Sequence, residues 1–398
     1  MARKHSGKTV DGAPLRFASP SSEAVTWIGI DEAGYGPNLG PLVVTATVWE
    51  SIEPQYDPAP PSPTNPSERN SPDELWRRLF PMIRNTGAGP SRRSPPGRRR
   101  AVVRGEERAG DGVVVDDSKK LYSPSRGLKR LEHGVLSLLA TTGPSPATFT
   151  SLLRAVNTLE EFTSEAPPWH LEREIELPVS IDRGDVGVCA RHLTDHMARA
   201  GVRLTAVYSD VVFPSRFNAL VSRYDSKGAV LADATSRLLS RAAQAPPAPN
   251  PKSHDGRPNH DGVESAPARP NAAIALVDRH GGRKSYRPLL QHTFPDDLVV
   301  CVHETRECSR YRLRAGGRPV EVSFQTGAER HLPVALASMV SKYLRELAMM
   351  LFNRFWTQHV PGLRPTAGYP VDARRFAAEV RVKQHELGIA DDLMWRNR

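Results

Sequence analysis

Residues 30–44 read IDEAGYGPNLGPLVV, and this stretch decides how the chain begins to fold. An apolar run at residues 25–30 ends in the acidic pair Asp31 and Glu32, and a β-branched run follows at residues 42–48. Short apolar and β-branched runs predict two strands, and the glycines and prolines between them predict a tight loop. The two carboxylates are therefore expected at the end of the first strand.

Outside this stretch, the apolar patterns predict a mixed α/β fold. Strand-like runs lie at residues 113–115, 202–208, 273–277, 298–302 and 320–324. Helical spacing occurs at residues 128–138, 230–238, 334–352 and 373–387. Ser123 and Pro124 stand ahead of the first of these helices, and Pro333 stands at the start of the third. We expect a mixed sheet with early antiparallel strands and later helix crossovers, flanked by helices and followed by a C-terminal helical extension.

Composition predicts that long parts of the chain build no core. Hydrophobic residues make up 39% of the 398 residues and Pro occurs 36 times, against roughly 45–50% and about 5% in average domains. Residues 1–22 are expected to be a disordered tail. Residues 23–398 are expected to form a single domain, interrupted by low-complexity inserts at about residues 51–112 and 245–271.

Several classes of protein are excluded or disfavoured. No run of about 18 apolar residues is present, which excludes a membrane-spanning helix, and the N-terminus lacks the apolar region of a secretory signal. The three cysteines, Cys189, Cys301 and Cys308, form no CxxC pair, so a reducing, cytoplasmic compartment is expected. His254, His260 and His280 do not cluster, and no Cys/His ligand spacing is present, so a zinc site is not expected.

Several strings, in order, resemble the motifs of ribonuclease HII. Residues 31–44 are similar to that family's opening DEAGRGPLAGPVV, residues 117–121 to its DSKKL, and residues 337–346 to its ASILAKVTRD. Weaker similarity lies at residues 217–235, to an IDxxNxxxAT stretch, and at Gly368 and Tyr369, to a late GYGT. The resemblance covers about residues 25–376. Tyr35 stands where the family has Arg or Lys.

The resemblance implies a ribonuclease H-like fold in which four carboxylates hold two divalent cations, Mg²⁺ or Mn²⁺, over a scissile phosphate. Such hard cations prefer oxygen ligands, and paired ions suit phosphodiester hydrolysis. Asp31 and Glu32 match the first two carboxylates, and Asp278 matches the third. The fourth matches Glu329, one residue later than the family's Asp; the alternatives are Glu304 or no fourth carboxylate. These residues are the predicted catalytic and metal-binding set.

The resemblance also implies contacts with nucleic acid. In the family, the backbone of the glycine loop reads the ribose 2′-hydroxyl, a tyrosine stacks beside the junction, and basic residues meet phosphates. The matching positions here are Gly34, Tyr35, Gly36, Ser118, Lys119, Lys120, Lys342 and Tyr369. The expected partner is an RNA/DNA hybrid or a duplex with embedded ribonucleotides, with no membrane partner, and the chain is expected to be a monomer.

Three functions stay open at this point. The first is an endonuclease that cuts the RNA strand and leaves 5′-phosphate and 3′-hydroxyl ends. The second is a nucleic-acid-binding protein of the same fold without that activity, and the third is a nuclease acting on structured DNA. Arg92, Arg93, Arg98, Arg99 and Arg100 form a basic cluster that is either a nucleic-acid-binding arm or a solvated linker.

Overall fold

The computed structural model describes residues 24–52, 73–87, 112–172, 174–246 and 272–397. The predicted N-terminal tail, the five-arginine cluster, His254 and His260 lie outside these ranges. Inside the first predicted insert, residues 73–87 are described, and they form a short helix and a two-residue strand. The side chains of Leu75 and Leu79 are fully buried there, so this apolar part of the insert packs against the domain.

Nine strands form two sheets in the described residues. In chain order they are β1 Val25–Ala33, β2 Leu42–Ser51, β3 Ile83–Arg84, β4 Val113–Val114, β5 Val202–Val212, β6 Ala273–Asp278, β7 Val300–Glu304, β8 Cys308–Ala315 and β9 Arg318–Gln325. The main sheet has seven strands in the order β5-β2-β1-β6-β9-β8-β7, and β3 pairs with β4 alone.

The direction of pairing changes in the middle of the main sheet. Strand β2 runs antiparallel to both β1 and β5, whereas β1, β6 and β9 are mutually parallel neighbours. Strands β7 and β8 then extend the sheet as an antiparallel pair beyond β9. The carboxyl ends of β1, β6 and β9 therefore lie at one edge, where loops from parallel strands commonly build sites.

Thirteen α-helices flank the sheet in the described part of the chain. They are α1 Glu74–Leu79, α2 Ser118–Leu121, α3 Lys129–Leu139, α4 Phe149–Ala155, α5 Leu159–Glu165, α6 Pro168–Leu171, α7 Arg183–Arg199, α8 Pro214–Tyr224, α9 Lys227–Ala243, α10 Arg287–Thr293, α11 Leu332–His359, α12 Pro370–Glu386 and α13 Asp391–Met394. None of the described helices has the length and apolar character needed to cross a bilayer.

Each face of the sheet has its own hydrophobic core. Trp27 of β1 and Leu276 of β6 pack in one core with residues of α11, while Ile28 and Ile30 pack in another with residues of α9. Side chains alternate between the two faces of a strand, so odd-numbered β1 residues lie on the side of α11. We call the two sides the α11 face and the α9 face.

The predicted mixed sheet, its flanking helices and the C-terminal helices are confirmed. Among the details that differ, three concern the sheet and the C-terminus. Strand β8 was missed because Arg alternates with apolar residues along it, whereas the prediction looked for continuous apolar runs. Strand β7 begins two residues later than expected, with Leu298 exposed before it. The helix expected to be last, α12, is followed by α13, which contributes Met394 to a third core.

Helix α11 lies unusually close to β1 at Gly29. A Cβ atom added to Gly29 would lie 2.1 Å from the carbonyl carbon of Pro333, and the hydroxyl of Thr47 donates to the Pro333 carbonyl oxygen at 2.8 Å. The absence of a side chain at Gly29 therefore sets how closely the first turn of α11 can approach the sheet.

Gly29→Ala is expected to destabilise the fold by about 1–3 kcal/mol, the usual cost of overpacking a core. The matched control is Gly143→Ala, where the added Cβ meets nothing within 4 Å, and its effect should stay within about 0.5 kcal/mol. Urea denaturation of both variants measures the difference. Equal midpoints for the two variants would show that α11 can shift away without cost.

Candidate active site

Three carboxylates from separate parts of the chain meet at the carboxyl edge of the sheet. Oxygen atoms of Asp31, Asp278 and Glu329 all lie within 4.8 Å of one another. Asp31 lies near the end of β1 and Asp278 is the last residue of the neighbouring parallel strand β6. The parallel pairing of the two strands brings these two side chains together.

Glu329 reaches the same point through a tight turn after β9. Asp278 is in register with the last residue of β9, Gln325. Gly327 then takes a positive φ of 63°, and residues Ala328–Arg330 form a 3₁₀ turn. The backbone N–H of Ala328 donates to Asp278 Oδ1 at 3.1 Å. The turn thereby places Glu329 next to Asp278, as the sequence comparison expected.

Glu32 and Glu304, the other two predicted acids, do not belong to this group of three. Strand β1 continues through Ala33, so Glu32 starts from the face opposite Asp31, and its oxygens are not among those within 4.8 Å of one another. The Glu32 carboxylate still interacts with Asp31, Asp278 and Glu329, so it lies beside the other three acids. Glu304, the alternative fourth acid, lies on β7 and accepts hydrogen bonds from Ser285, at 2.6 Å, and from Tyr311.

The gathered acids destabilise one another's charged forms. Burial and then the nearby Glu32 carboxylate raise the pKa of Asp31 well above its ordinary value. Burial, followed by repulsion from Asp278, raises the pKa of Glu32 from 4.5 to about 7. Burial is also the main reason that the pKa values of Asp278 and Glu329 are raised. Four acids with raised pKa values form a site that a cation would stabilise.

Among the predicted basic residues, Lys119 interacts most strongly with the charges of these acids. Burial alone would lower its pKa, but the surrounding carboxylates raise it above the ordinary value; they are Asp117, Glu329, Asp31 and Glu32. Asp117 caps α2 by accepting a hydrogen bond from the Lys119 backbone N–H at 3.0 Å. Sequence reasoning quoted Asp117 within DSKKL but gave it no role, although it is an acid beside the site.

The other predicted basic residues already have acidic partners. Lys120 Nζ lies 2.8 Å from Asp116 Oδ1, and Lys342 Nζ lies 2.5 Å from Glu346 Oε1. Ser118 is buried, and its hydroxyl accepts a hydrogen bond from Ser338 at 3.1 Å. This bond joins α2 to α11. Among the predicted lysines, Lys119 therefore has the most direct electrostatic contact with the carboxylates.

Two tyrosines lie at the glycine loop between β1 and β2: Tyr35 within it and Tyr369 beside it. Tyr35 is 36% exposed and Tyr369 is 54% exposed. Lys227, at the start of α9, places its Nζ 4.9 Å from the centre of the Tyr35 ring. A Cβ on Gly36 would lie 3.8 Å from Tyr369 Cε1, so the second ring borders the same loop. The Tyr369 ring is therefore an exposed ring beside the loop and not a buried turn residue.

Two buried arginines support this loop, and sequence reasoning did not find them. Arg396 Nη2 donates to the Gly34 carbonyl oxygen at 2.7 Å and also to that of Pro37. Arg345, on α11, donates to the Ala367 carbonyl oxygen at 3.0 Å. Gly34 has a φ of +88°, and a Cβ there would lie 2.5 Å from Arg345 Nε. Charged residues buried behind a glycine turn leave no periodic signal in a sequence.

The donor set fits a hard divalent cation. All the donors are carboxylate oxygens, the ligands that Mg²⁺ and Mn²⁺ prefer. Asp31, Asp278 and Glu329 would hold such an ion, and Glu32 lies close enough to affect the same charges.

No protein-family model matches the chain, and no curated protein does. Solved structures to which it is similar include the PCNA:RNase HII complex from Archaeoglobus fulgidus, at 13% identity and a TM-score of 0.34, with 94% of each chain covered. Ribonuclease H2 from Pyrococcus horikoshii OT3 matches at 12% identity and a TM-score of 0.33, covering 93% of this chain and 92% of that one. Bst-RNase HIII in complex with Mn²⁺ matches at 14% identity and a TM-score of 0.34, covering 98% and 72%.

In the absence of divalent cations, Asp31→Asn is expected to melt higher than the wild type at pH 8, by roughly 2–5 °C. The folded-state pKa values of the acids are raised, so the stability that they contribute is full below about pH 4 and is lost as pH rises towards about 7, the pKa of Glu32. The variant removes one repelling charge. Thermal melts at pH 4 and pH 8 measure the effect.

At pH 4 the wild type and Asp31→Asn should melt alike. Adding Mg²⁺ at pH 8 should raise the melting temperature of the wild type more than that of the variant. A variant that melts below the wild type at pH 8 without cations would show that Asp31 has a supporting role in the fold instead.

Arg396→Ala is expected to cost about 1–3 kcal/mol, since the carbonyl oxygens of Gly34 and Pro37 lose a buried donor. Amide hydrogen exchange in the glycine loop should also become faster. Arg381→Ala, an exposed position on α12, serves as the control and should change neither property. Unchanged exchange in Arg396→Ala would show that the loop keeps its shape without Arg396.

Proposed function

We propose that the protein is a divalent-metal-dependent endonuclease that hydrolyses the RNA strand of RNA/DNA hybrids, or cuts at embedded ribonucleotides, leaving 5′-phosphate and 3′-hydroxyl ends. The observation that carries this proposal is the meeting of Asp31, Asp278 and Glu329 within 4.8 Å. A purely structural acidic cluster would be costly, because these groups are partly or fully desolvated and repel one another.

The residues around the cluster have separate roles in metal binding and phosphate binding. Asp31, Asp278 and Glu329 hold the cations, and Glu32 adds negative charge beside them. Bound divalent ions supply polarisation of the phosphate, activation of water and stabilisation of the leaving oxygen. Lys119, whose charge already interacts with these acids, offsets part of their repulsion and attracts the phosphate group.

The glycine loop supplies contacts that could distinguish ribose. Gly36 is exposed and Gly34 is half-buried, so the loop can approach a sugar closely, and a 2′-hydroxyl is the group that separates RNA from DNA at one nucleotide. The exposed rings of Tyr35 and Tyr369 border the same loop and offer surfaces for stacking on a sugar or base. Arg345 and Arg396 hold the loop in place from behind.

The tyrosine at position 35 favours an alternative function. It replaces the cation that the family carries in its loop, and Lys342 is paired with Glu346, so two expected phosphate contacts are weakened. A protein that binds nucleic acid without cutting ribonucleotides, or that cuts structured DNA, would tolerate both changes.

Asp278→Asn and Glu329→Gln are each expected to lower the cleavage rate by about 100-fold or more, since even residues that only orient metal ligands commonly cost 10–100-fold. Glu304→Gln is the matched control and should retain the wild-type rate. The assay compares a continuous RNA/DNA hybrid, a DNA duplex with one ribonucleotide, and an all-DNA duplex, each with Mg²⁺ or Mn²⁺.

Cleavage of both ribonucleotide-containing substrates by the wild type, and of neither by the two acid variants, would support the proposal. Cleavage of structured or all-DNA substrates alone would favour the DNA nuclease. Tight binding without any cleavage would favour the binding protein. Loss of activity in Glu304→Gln with full activity in Glu329→Gln would show that the fourth carboxylate was assigned to the wrong residue.

A further inference from the structure

Strand β8 carries three arginines on one face. Arg310, Arg312 and Arg314 alternate with Ser309, Tyr311 and Leu313 along the sequence. Tyr311 and Leu313 are buried in the core on the α9 face. Because successive side chains of a strand point to opposite faces, the arginines lie on the α11 face. We call Arg310, Arg312 and Arg314 the arginine row.

The register of the sheet places this row on the same face as the carboxylates. Arg310 is opposite Ser323 of β9, and Ser323 is in register with Leu276 of β6. Leu276 packs in the core beneath α11. Asp278 lies two residues further along β6 and therefore on the same face. The row thus begins one strand beyond β9, near the carboxylate edge, and leads away from it along β8.

Glu321 is the acidic partner of the row on β9, and it does not balance the row. Its carboxylate lies 3.4 Å from Arg310 Nε and 3.0 Å from Arg312 Nε, so one negative charge serves two guanidinium groups. Arg314 is exposed and donates to the backbone carbonyl oxygen of Gly317 at 3.1 Å. Glu321 by itself cannot neutralise three guanidinium groups.

The row is open to solvent. The side chains of Arg310 and Arg312 are each 39% exposed. On the neighbouring edge strand, Val300 pairs with Arg312 and is 39% exposed. Arg330, in the turn that carries Glu329, is also exposed and bonds the side chain of Gln325. Positive charge therefore continues from the carboxylate edge to the row.

We propose that the arginine row binds the phosphate backbone of the duplex on one side of the cut site. This inference rests on the proposed function for the nature of the substrate. Arginine is suited to phosphate because its planar group donates two hydrogen bonds at once. A row on a rigid strand fixes where a duplex lies, without reading its sequence.

The spacing of the row sets the length of duplex that it reaches. Arg310 and Arg314 are four residues apart in a strand, or about 13 Å at 3.3 Å per residue. At about 3.4 Å per base pair, the row covers roughly four base pairs. A duplex trimmed on that side of the cut site should therefore lose affinity over those base pairs, and trimming on the other side should not reproduce the loss.

The test measures binding by fluorescence anisotropy with a hybrid of about 20 base pairs, in EDTA so that nothing is cut. The test variant is the triple substitution Arg310→Gln, Arg312→Gln, Arg314→Gln. The control with the same change in charge substitutes Gln at three exposed arginines elsewhere: Arg154, Arg191 and Arg199. A second test variant substitutes Lys at all three positions of the row, which keeps the charge.

In the Gln variant of the row, the slope of log affinity against log salt should become shallower by about 2–3, as expected when three phosphate contacts are lost. The Lys variant should keep most of the slope, and the control should keep the wild-type slope. The affinity of the Gln variant should also no longer depend on the length of the duplex on the row's side of the cut site. Thermal melts establish that each variant is folded.

Equal slopes for the Gln variant and the control would overturn the proposal, since the effect would then come from net charge alone. A wild type that sediments as a dimer, and becomes a monomer in the Gln variant with unchanged binding, would show that the row joins two copies instead. Duplex binding through the row without cleavage by the wild type in Mg²⁺ would sink the proposed function and leave this inference standing. Cleavage by the wild type, with unchanged binding in the Gln variant of the row, would support the proposed function and overturn this inference.

Discussion

The close approach of helix α11 to strand β1 is the constraint on which the rest of the structure depends. Gly29 allows the first turn of the helix to contact the strand, with Pro333 directly above it. Further along, the Ser341 hydroxyl donates to the Asp31 carbonyl oxygen at 3.1 Å, and Arg345 lies behind Gly34. The helix thus supports the strand that carries Asp31 and the loop that follows, and the turn before it carries Glu329. A single packing contact positions elements from three parts of the chain.

That packing also brings several carboxylates together where they are desolvated. The electrostatic free energy that this costs marks the candidate site. Desolvation and mutual repulsion raise the pKa values of Asp31, Glu32, Asp278 and Glu329, so the folded chain holds these acids in an environment that favours added positive charge. Lys119 provides part of it. A divalent cation would supply the rest, which is the basis of the proposed metal-dependent reaction on a phosphate. The arginine row, further along the same face of the sheet, is suited instead to the many phosphates of a long polyanion.

Much of the fold could be predicted from local patterns. The strands β1, β2, β6 and β9 and the helices α9 and α11 are marked by apolar periodicity, which depends on neighbours in sequence. Strand β8 was missed because its arginines face an open side of the sheet, and a strand half covered by charge gives a weak apolar signal. The buried positions of Arg345 and Arg396 were also beyond reach, since a charged residue is buried only where distant backbone carbonyls are ready to accept its hydrogen bonds.

The sequence by itself determined which acids are available and in what order: Asp31 and Glu32 after a first strand, Asp278 after a later one, and Glu329 ahead of the long helix. It also marked the glycine loop and its tyrosines. Only the tertiary structure decided which acids meet. Alternation along strand β1 directs Asp31 to the α11 face, and parallel pairing with β6 brings Asp278 beside it. Glu329 joins them and Glu304 does not, because a turn after β9 returns the chain to this edge while β7 lies three strands from β6. Side-chain alternation and strand order are properties of the assembled sheet, which no single segment of the chain contains.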